Sequence, residues 1–270
     1  MTGYTVIGAR GFIGSRLVKA LRARGDEVFE PGRDDPDLLS RELGAVFYCA
    51  GLTGDFATRP FDTVEAHVGL LTRLLRSGRF ERLVYLSSTR VYDSLGAEGG
   101  RESDELRFDV AAPRNVYDLS KALGENLTLA RSEGRGSVAR LANVFDWADE
   151  AGGFLSDLLK RARGEREIVL ASSPEAGRDY IHVNDVIAAL VAMDDQRAGG
   201  IVNVASGVTV SNGQIAEAMA KAGWRLSLTG QGIAHGPVCD TSRLRALGVA
   251  PRDPLVVIEE ALRTPGFLRA

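Results

Sequence analysis

Short apolar runs alternate with longer stretches in which apolar residues recur every three or four positions. The runs at 3–7 and 45–50 contain few polar residues, a pattern typical of strands buried on both faces of a parallel sheet. Between these runs, Leu17, Val18 and Leu21 recur at the spacing of one helix face. Strands that alternate with helices in this way predict an α/β fold built on a doubly wound parallel sheet.

The alternation continues through the middle of the chain, where the pattern predicts strands at 83–87 and 137–141 and helices at 62–77 and 115–131. Past residue 146 the rhythm changes, and shorter elements predict a smaller lobe. A helix at 184–193 and a strand at 201–204 are expected to return to the large sheet. We therefore predict a first domain over 1–145, joined by 180–206, and a small lobe made mainly of 146–270.

Composition narrows the class of protein. The chain has 270 residues, of which 44% are hydrophobic and 26% charged, so it is long enough for a large core. A net charge of −3 gives no general attraction to nucleic acid or to a membrane surface. Neither Cys49 nor Cys239 has metal-ligand spacing, and we expect no metal site and no disulfide framework.

No apolar run reaches the length of about 18 residues that a membrane span requires. The first strand is expected to begin by about residue 3, which leaves no room for a signal peptide. These two observations predict a soluble cytoplasmic protein.

The spacing of Tyr117 and Lys121 is the strongest indication of catalytic chemistry in the sequence. Residues four apart lie on one face of a helix, and the segment 115–125 has a helical pattern. An ammonium group beside a phenol favours the phenolate and lowers the tyrosine pKa from about 10. A tyrosine tuned in this way can exchange a proton with a hydroxyl group while a hydride is transferred.

Gly8, Gly11 and Gly14 fall directly between the first strand and the first helix. In this pattern the first glycine permits a tight turn, the second allows a pyrophosphate to approach, and the third allows close helix packing. The helix N terminus then faces the anion. The predicted dinucleotide site also includes residues that open the helix and that follow the third strand, namely Phe12, Ile13, Ala50 and Gly51.

The end of the second strand, predicted at 27–30, indicates which dinucleotide binds. An NAD site places an acid there to bind the ribose 2′-hydroxyl, but that position falls near Gly32 and is followed by Arg33. Arg10, inside the glycine turn, reaches the same region. Because arginine binds phosphate with two parallel hydrogen bonds, this pair favours NADP(H). The alternative is NAD(H), with Glu30 binding the ribose.

Motifs in order along nearly the whole chain resemble the extended short-chain dehydrogenase/reductase family, in its NAD(P)-dependent nucleotide-sugar epimerase/dehydratase branch. Within this branch the chain is similar to UDP-galactose 4-epimerases and GDP-fucose synthases. The resemblance implies a Rossmann sheet with a substrate-binding lobe. The segments that carry it are Gly8–Gly14, Leu86–Tyr92, Tyr117–Lys121, Arg178–Val186 and Asp240–Arg243.

The resemblance also implies roles for individual residues. Ser88, Tyr117 and Lys121 would form the catalytic triad, and Lys121 would also bind the nicotinamide ribose. The substrate would be a nucleotide sugar that reacts at C4, with contacts from Ser88 and from Thr89, Asn143 and Arg178. Family members commonly dimerise through the helices that correspond to 62–77 and 115–131, so a homodimer is expected.

Departures from the family pattern restrict the reaction. The 4,6-dehydratases of the family have an Asp-Glu pair where this chain has Thr89 and Arg90, so the acid and base for loss of water are missing. An epimerase and a ketoreductase both remain open. His67 replaces an asparagine common in the family, and either substrate contact or helix packing would explain it. A non-catalytic, redox-sensing NADP-binding regulator is the alternative, although such proteins usually lack the tyrosine or the lysine.

Overall fold

The computed structural model describes residues 3–232, 236–264 and 267. Its main sheet contains six parallel strands in the order β2-β1-β3-β4-β5-β9. These strands are β1 (Tyr4–Ile7), β2 (Val28–Phe29), β3 (Ala45–Tyr48), β4 (Arg82–Ser88), β5 (Gly136–Leu141) and β9 (Gly200–Val204). The predicted doubly wound parallel sheet is therefore confirmed.

The order of the strands places the ligand-binding edge of this sheet. The chain passes from β1 to β2 on one side and then crosses to β3 on the other side of β1. In such sheets, ligands bind outside the carboxyl ends of the strands at the point where the order reverses. The glycine turn after β1 and residues Ala50 and Gly51 after β3 lie at that point.

The helices follow the predicted order, with one difference at the segment predicted as 62–77. A π-helical turn over Glu65–Gly69 separates two α-helices there, and it contains His67. The helices are α1 (Phe12–Ala23), α2 (Pro60–Val64), α3 (Leu70–Ser77), α4 (Asn115–Arg131), α5 (Phe154–Ala162), α6 (Val183–Asp195), α7 (Asn212–Lys221), α8 (Ser242–Ala246) and α9 (Pro254–Arg263). Short 3-10 turns cover Pro36–Leu39 and Thr89–Glu98.

A second hydrophobic core lies apart from the main sheet. It is built on α5, α7 and α9, with Trp224 and Met219 among its buried residues. Two small sheets accompany it, with strand orders β10-β8-β6 and β11-β7. Their strands are β6 (Asn143–Phe145), β7 (Glu167–Leu170), β8 (Gly177–His182), β10 (Thr209–Ser211) and β11 (Arg225–Leu228).

His182 connects the small sheets and the second core, which together form the small lobe, to the main sheet. It ends β8 and caps α6. Its Nδ1 accepts a hydrogen bond from the amide of Asn184 at 3.2 Å and contacts Arg252 at 2.9 Å. These contacts give His182 a structural role at the start of α6.

An ion pair between Arg140 and Glu125 is buried where α4 crosses β4 and β5. The two side chains are 3% and 5% exposed, with Nη2 and Oε2 2.6 Å apart. Ser87 also hydrogen-bonds Glu125, and Arg140 donates to the Tyr92 hydroxyl at 2.7 Å. Tyr92 in turn donates to Asn203 on β9 at 2.8 Å. The network therefore ties α4 to three neighbouring strands of the sheet.

Membrane-spanning helices and metal-binding clusters are both absent from the part of the chain that the structure describes. Over 3–232, 236–264 and 267, no helix is long and apolar enough to cross a membrane. The same residues contain no group of three or more His, Cys, Asp or Glu side chains that could hold a metal ion.

We predict that Glu125→Ala destabilises the protein by about 3–5 kcal/mol, because it leaves the buried Arg140 charge without its acid partner. Denaturant unfolding followed by circular dichroism measures the change. Glu42→Ala is the control, since Glu42 pairs with Arg79 at the surface and is 77% exposed. Equal, small losses in the two variants would contradict a structural role for the buried pair.

Candidate active site

The glycine turn is shaped by two close backbone contacts. Gly8 has φ +84°, and a Cβ atom there would lie 2.7 Å from the amide nitrogen of Ala50. A Cβ atom on Gly14 would lie 2.3 Å from the carbonyl oxygen of Gly8. Any larger residue would therefore push β1 away from β3 or α1 away from the turn. Gly11 is the N-cap residue of α1 and has no capping side chain, which leaves the helix N terminus open to an anion.

A cavity of about 720 Å³ runs from the start of α1 to the small lobe. Phe12, Ile13 and Gly51, which lie beside the glycine turn, line this cavity, and so do Ser88, Tyr117 and Lys121. Its far wall belongs to the lobe and includes Asn143, Phe154, Ser172, Arg178, Tyr180 and Asn212. The residues present thus fit a dinucleotide at one end and a second, elongated ligand at the other.

Lys121 is held in place by the strand beneath it. Its Nζ donates a hydrogen bond to the carbonyl oxygen of Leu86 at 2.8 Å and lies 5.1 Å from the centre of the Tyr85 ring. Burial lowers the pKa of Lys121 to about 7, although the charge of Glu125 acts in the opposite direction. Lys121 therefore changes its charge close to neutral pH when no ligand is bound.

Tyr117 is also buried, with 3% of its surface exposed. Burial raises the pKa of its phenol, and this rise is opposed by hydrogen bonding with Ser88 and by the charge of Arg90. In this structure, Arg90 is therefore the cation that acts on the phenol. The lowering of the Tyr117 pKa by Lys121 stays a prediction.

His67 packs behind the tyrosine and lines neither of the two cavities described here. Its ring is edge-on to that of Tyr117, with the ring centres 5.2 Å apart, and Nδ1 lies 2.8 Å from the Ser120 hydroxyl. Burial and the charge of Lys121 lower the pKa of His67 to about 2, so the imidazole is neutral. Of the two explanations for His67, these contacts favour helix packing.

A smaller cavity of about 230 Å³ adjoins the large one. The two cavities share Arg90, Asn143 and Arg178, and the smaller one also contains Thr89. All four residues predicted to contact substrate therefore lie on these two cavities, with Ser88 in the large one.

Arg10 and Arg33, which were predicted at the far end of the dinucleotide, are exposed. Neither forms an ion pair within 4 Å among the described residues. Glu30, the alternative ribose ligand, forms an ion pair with Arg22 of α1. The cavity lining does not include Ala50 or the three glycines, although their neighbours Phe12, Ile13 and Gly51 are part of it.

Two residues at the site were missed by sequence reasoning. Phe56 lies in the loop after β3, and its ring centre is 5.2 Å from that of Tyr117. Arg90 contacts both rings, with its guanidinium carbon 4.9 Å from the Phe56 centre and 4.8 Å from the Tyr117 centre. Nothing in the loop pattern points to Phe56. In the sequence, Arg90 is recognisable only as a replacement for an acid, and its contact with the Tyr117 and Phe56 rings could not be predicted.

Solved structures with the same overall fold include nucleotide-sugar enzymes. MoeE5 in complex with UDP-glucose and NAD has a TM-score of 0.78 and 27% identity, with 99% of this chain and 98% of that chain covered. RMD from Pseudomonas aeruginosa, complexed with NADPH, has a TM-score of 0.79 with 100% and 98% coverage, and at 23% identity it shows the fold alone.

Curated relatives are nucleotide-sugar enzymes as well. A dTDP-6-deoxy-L-talose 4-dehydrogenase (NAD(P)(+)) from Kitasatospora kifunensis is 30% identical, over 75% of this chain and 73% of its own length. A dTDP-4-dehydro-6-deoxy-D-allose reductase from a Streptomyces species is 25% identical, over 76% of each chain. The model of the NAD dependent epimerase/dehydratase family matches residues 4–205. The chain belongs to this family of nucleotide-sugar-modifying enzymes.

Proposed function

We propose that the protein is an NAD(P)-dependent enzyme that catalyses hydride transfer at C4 of a nucleotide sugar, with Tyr117 as the acid and base. One observation carries this proposal: Ser88, Tyr117 and Lys121 line the same cavity as the start of α1 and residues of the small lobe. A dinucleotide at the turn and a nucleotide sugar against the lobe would meet at the tyrosine. The nicotinamide would supply the hydride acceptor and donor.

Tyr117, Ser88 and Lys121 have different roles in the proposed reaction. The Tyr117 phenol oxygen takes the proton from the C4 hydroxyl and returns it when the ketone is reduced. Ser88 hydrogen-bonds the phenol and orients the sugar oxygen. Lys121, once protonated, offsets the rise that burial imposes on the Tyr117 pKa and binds the nicotinamide ribose.

The reaction takes one of two forms. In an epimerase, C4 is oxidised to a ketone and the 4-keto sugar rotates in the site. Reduction on the other face of the sugar then returns the cofactor to its starting state. In a ketoreductase, only the reduction takes place and the oxidised cofactor leaves. The named dTDP-sugar relatives are a reductase and a dehydrogenase, which supports the second form without excluding the first.

NADP(H) is the preferred cofactor in this proposal. Arg10 and Arg33 are exposed guanidinium groups without an ion-pair partner among the described residues, and they flank the expected adenosine ribose. Glu30 is occupied by Arg22 and is a poor ligand for a ribose 2′-hydroxyl. Both features support recognition of a 2′-phosphate.

A homodimer is proposed as the working form. The helix pair predicted to form the interface, α2–α3 and α4, leaves Phe61, Val64 and Leu123 exposed by 88%, 42% and 49%. Leu71 on α3 is fully buried and packs in the core against the sheet, so it does not contribute to this surface. Exposed apolar side chains on these helices support association of two copies there.

We predict that NADPH binds at least about tenfold more tightly than NADH, and that Arg33→Ala removes most of the difference, because charge-assisted hydrogen bonds to the 2′-phosphate are lost. Calorimetric titration of both cofactors measures the preference. Arg76→Ala on α3 serves as the control for loss of one exposed guanidinium. Equal affinities, together with an unchanged NADPH affinity in Arg33→Ala, would show that the cofactor assignment is wrong.

We predict that Tyr117→Phe lowers turnover by about 10²–10⁴-fold and leaves cofactor affinity nearly unchanged, since only the phenol oxygen moves the proton. Lys121→Ala is expected to lower both turnover and cofactor affinity. The assay follows NADPH absorbance and product stereochemistry with nucleotide sugars and their 4-keto forms. Tyr4→Phe, at the opposite end of β1, is the matched control.

The same assay separates the two reactions. Interconversion of hydroxy sugars without net loss of NADPH identifies an epimerase, whereas stoichiometric loss of NADPH with a keto sugar identifies a ketoreductase. A wild-type rate in Tyr117→Phe, with either reaction, would overturn the proposed mechanism.

We predict that the protein is a dimer at micromolar concentration and that Leu123→Glu produces monomers, because a carboxylate would be buried in the apolar interface. Light scattering measures the mass of both. Val110→Glu is the matched control, since Val110 is 83% exposed and lies outside α2–α3 and α4. A monomeric wild-type protein would contradict the prediction.

A further inference from the structure

Arg90 contacts two aromatic rings at the junction of the two cavities. Its guanidinium carbon is 4.8 Å from the Tyr117 ring centre and 4.9 Å from that of Phe56, and the two ring centres are 5.2 Å apart. Contact with both rings restricts the guanidinium group while leaving N–H groups to bind a ligand. The amide of Arg90 also donates to the Ser88 hydroxyl oxygen at 3.3 Å, which fixes its backbone beside the triad.

The charge of Arg90 acts on Asp118, where it opposes the rise that burial imposes on the carboxyl pKa, but the two groups form no ion pair. Among the described residues, no Asp or Glu oxygen lies within 4 Å of its guanidinium nitrogens. The two acids that line the smaller cavity already have donors. Asp93 pairs with Arg114 at 2.9 Å, and Asp179 accepts hydrogen bonds from Ser206 and from the amide of Gly207.

The position of Arg90 relative to Tyr117 determines which part of a substrate it meets. In a nucleotide sugar, the diphosphate is attached at C1, on the opposite side of the pyranose ring from C4. The carbons next to C4 are C3, which carries a hydroxyl group, and C5, which carries C6. A cation in contact with the phenol that acts at C4 therefore lies near the substituents of C3 and C5 and away from the diphosphate, and of these only C6 can be a carboxylate. Thr89 and Asn143 line the same cavity and supply further polar groups there.

We infer that Arg90 binds a carboxylate at C6 of the sugar, and that the preferred substrates are nucleotide-activated hexuronic acids. This inference rests on the proposed function, because it uses the reaction at C4 to orient the sugar. A planar guanidinium group matches a carboxylate through two parallel hydrogen bonds, whereas a neutral hydroxymethyl group would leave the charge unpaired. The smaller cavity, at about 230 Å³, has room for this substituent.

The test compares uronates with the matching neutral hexoses. Glucuronate and glucose are each supplied as UDP and dTDP derivatives, and calorimetric affinity and kcat/KM are measured for wild type, Arg90→Lys and Arg90→Gln. Wild type is expected to favour the uronates by about 10- to 100-fold, the range that charge-assisted hydrogen bonds provide. Arg90→Gln is expected to abolish that preference, and Arg90→Lys to retain part of it, since an ammonium keeps the charge without the planar fork.

Controls separate this inference from its alternatives. Arg107→Gln removes an exposed guanidinium outside both cavities and is expected to keep the uronate preference. Thermal unfolding checks that each variant is folded, and titration of UDP alone checks the diphosphate. Equal use of uronates and hexoses by wild type would overturn the inference and leave the proposed function standing. A loss of UDP affinity in Arg90→Gln as large as the loss of uronate affinity would assign Arg90 to the diphosphate and also overturn it.

A failure of the proposed function has a different signature. In that case none of the four sugar nucleotides would bind or turn over in the presence of NADPH, NADP, NADH or NAD. Retained uronate preference in Arg90→Gln would place carboxylate recognition elsewhere in the site and would overturn the inference alone.

Discussion

The geometry of the site depends on the buried ion pair between Arg140 and Glu125. Glu125 lies one helical turn after Lys121 on α4, and Ser87, which binds its carboxylate, precedes Ser88 on β4. The pair therefore fixes the helix that carries Tyr117 and Lys121 against the strand that carries Ser88. Two desolvated charges are costly unless every hydrogen bond is made, and here the pair is completed by Ser87 and Tyr92. Such a pair specifies one register between α4 and the sheet.

Burial sets the chemistry that this geometry permits. It lowers the pKa of Lys121 to about 7 and raises that of Tyr117, so burial shifts both groups toward their neutral forms. Phosphate groups of a bound dinucleotide would add negative charge to the cavity, which favours the ammonium form of Lys121. The protonated lysine would then favour the phenolate. In the proposed mechanism, cofactor binding and activation of the tyrosine would be coupled through one buried amine.

Much of the fold could be predicted from the sequence, because unalternating apolar runs and the glycine turn both have local causes. The parallel sheet and the family are confirmed. The positions of Tyr117 and Lys121 on one helix face follow from their spacing alone. Long-range features were out of reach: the π-helical turn at Glu65–Gly69, the pairing of Glu30 with Arg22, and the packing of Phe56 on Tyr117 all depend on contacts between distant segments. Sequence spacing also could not show that burial raises the Tyr117 pKa or that Arg90 is a cation beside the phenol.

Position 90 connects the reaction with the substrate. An acid at this position belongs to the dehydratase pattern, where it serves loss of water. Arg90 cannot act as that acid or base at neutral pH, because a guanidinium group does not release its proton in this range. The same side chain, in contact with Phe56 and Tyr117, places a positive charge beside the tyrosine that is proposed to act on the sugar. With Thr89 it replaces the acid pair of the dehydratase pattern, and in the proposed reaction it would be the partner of an anionic sugar substituent.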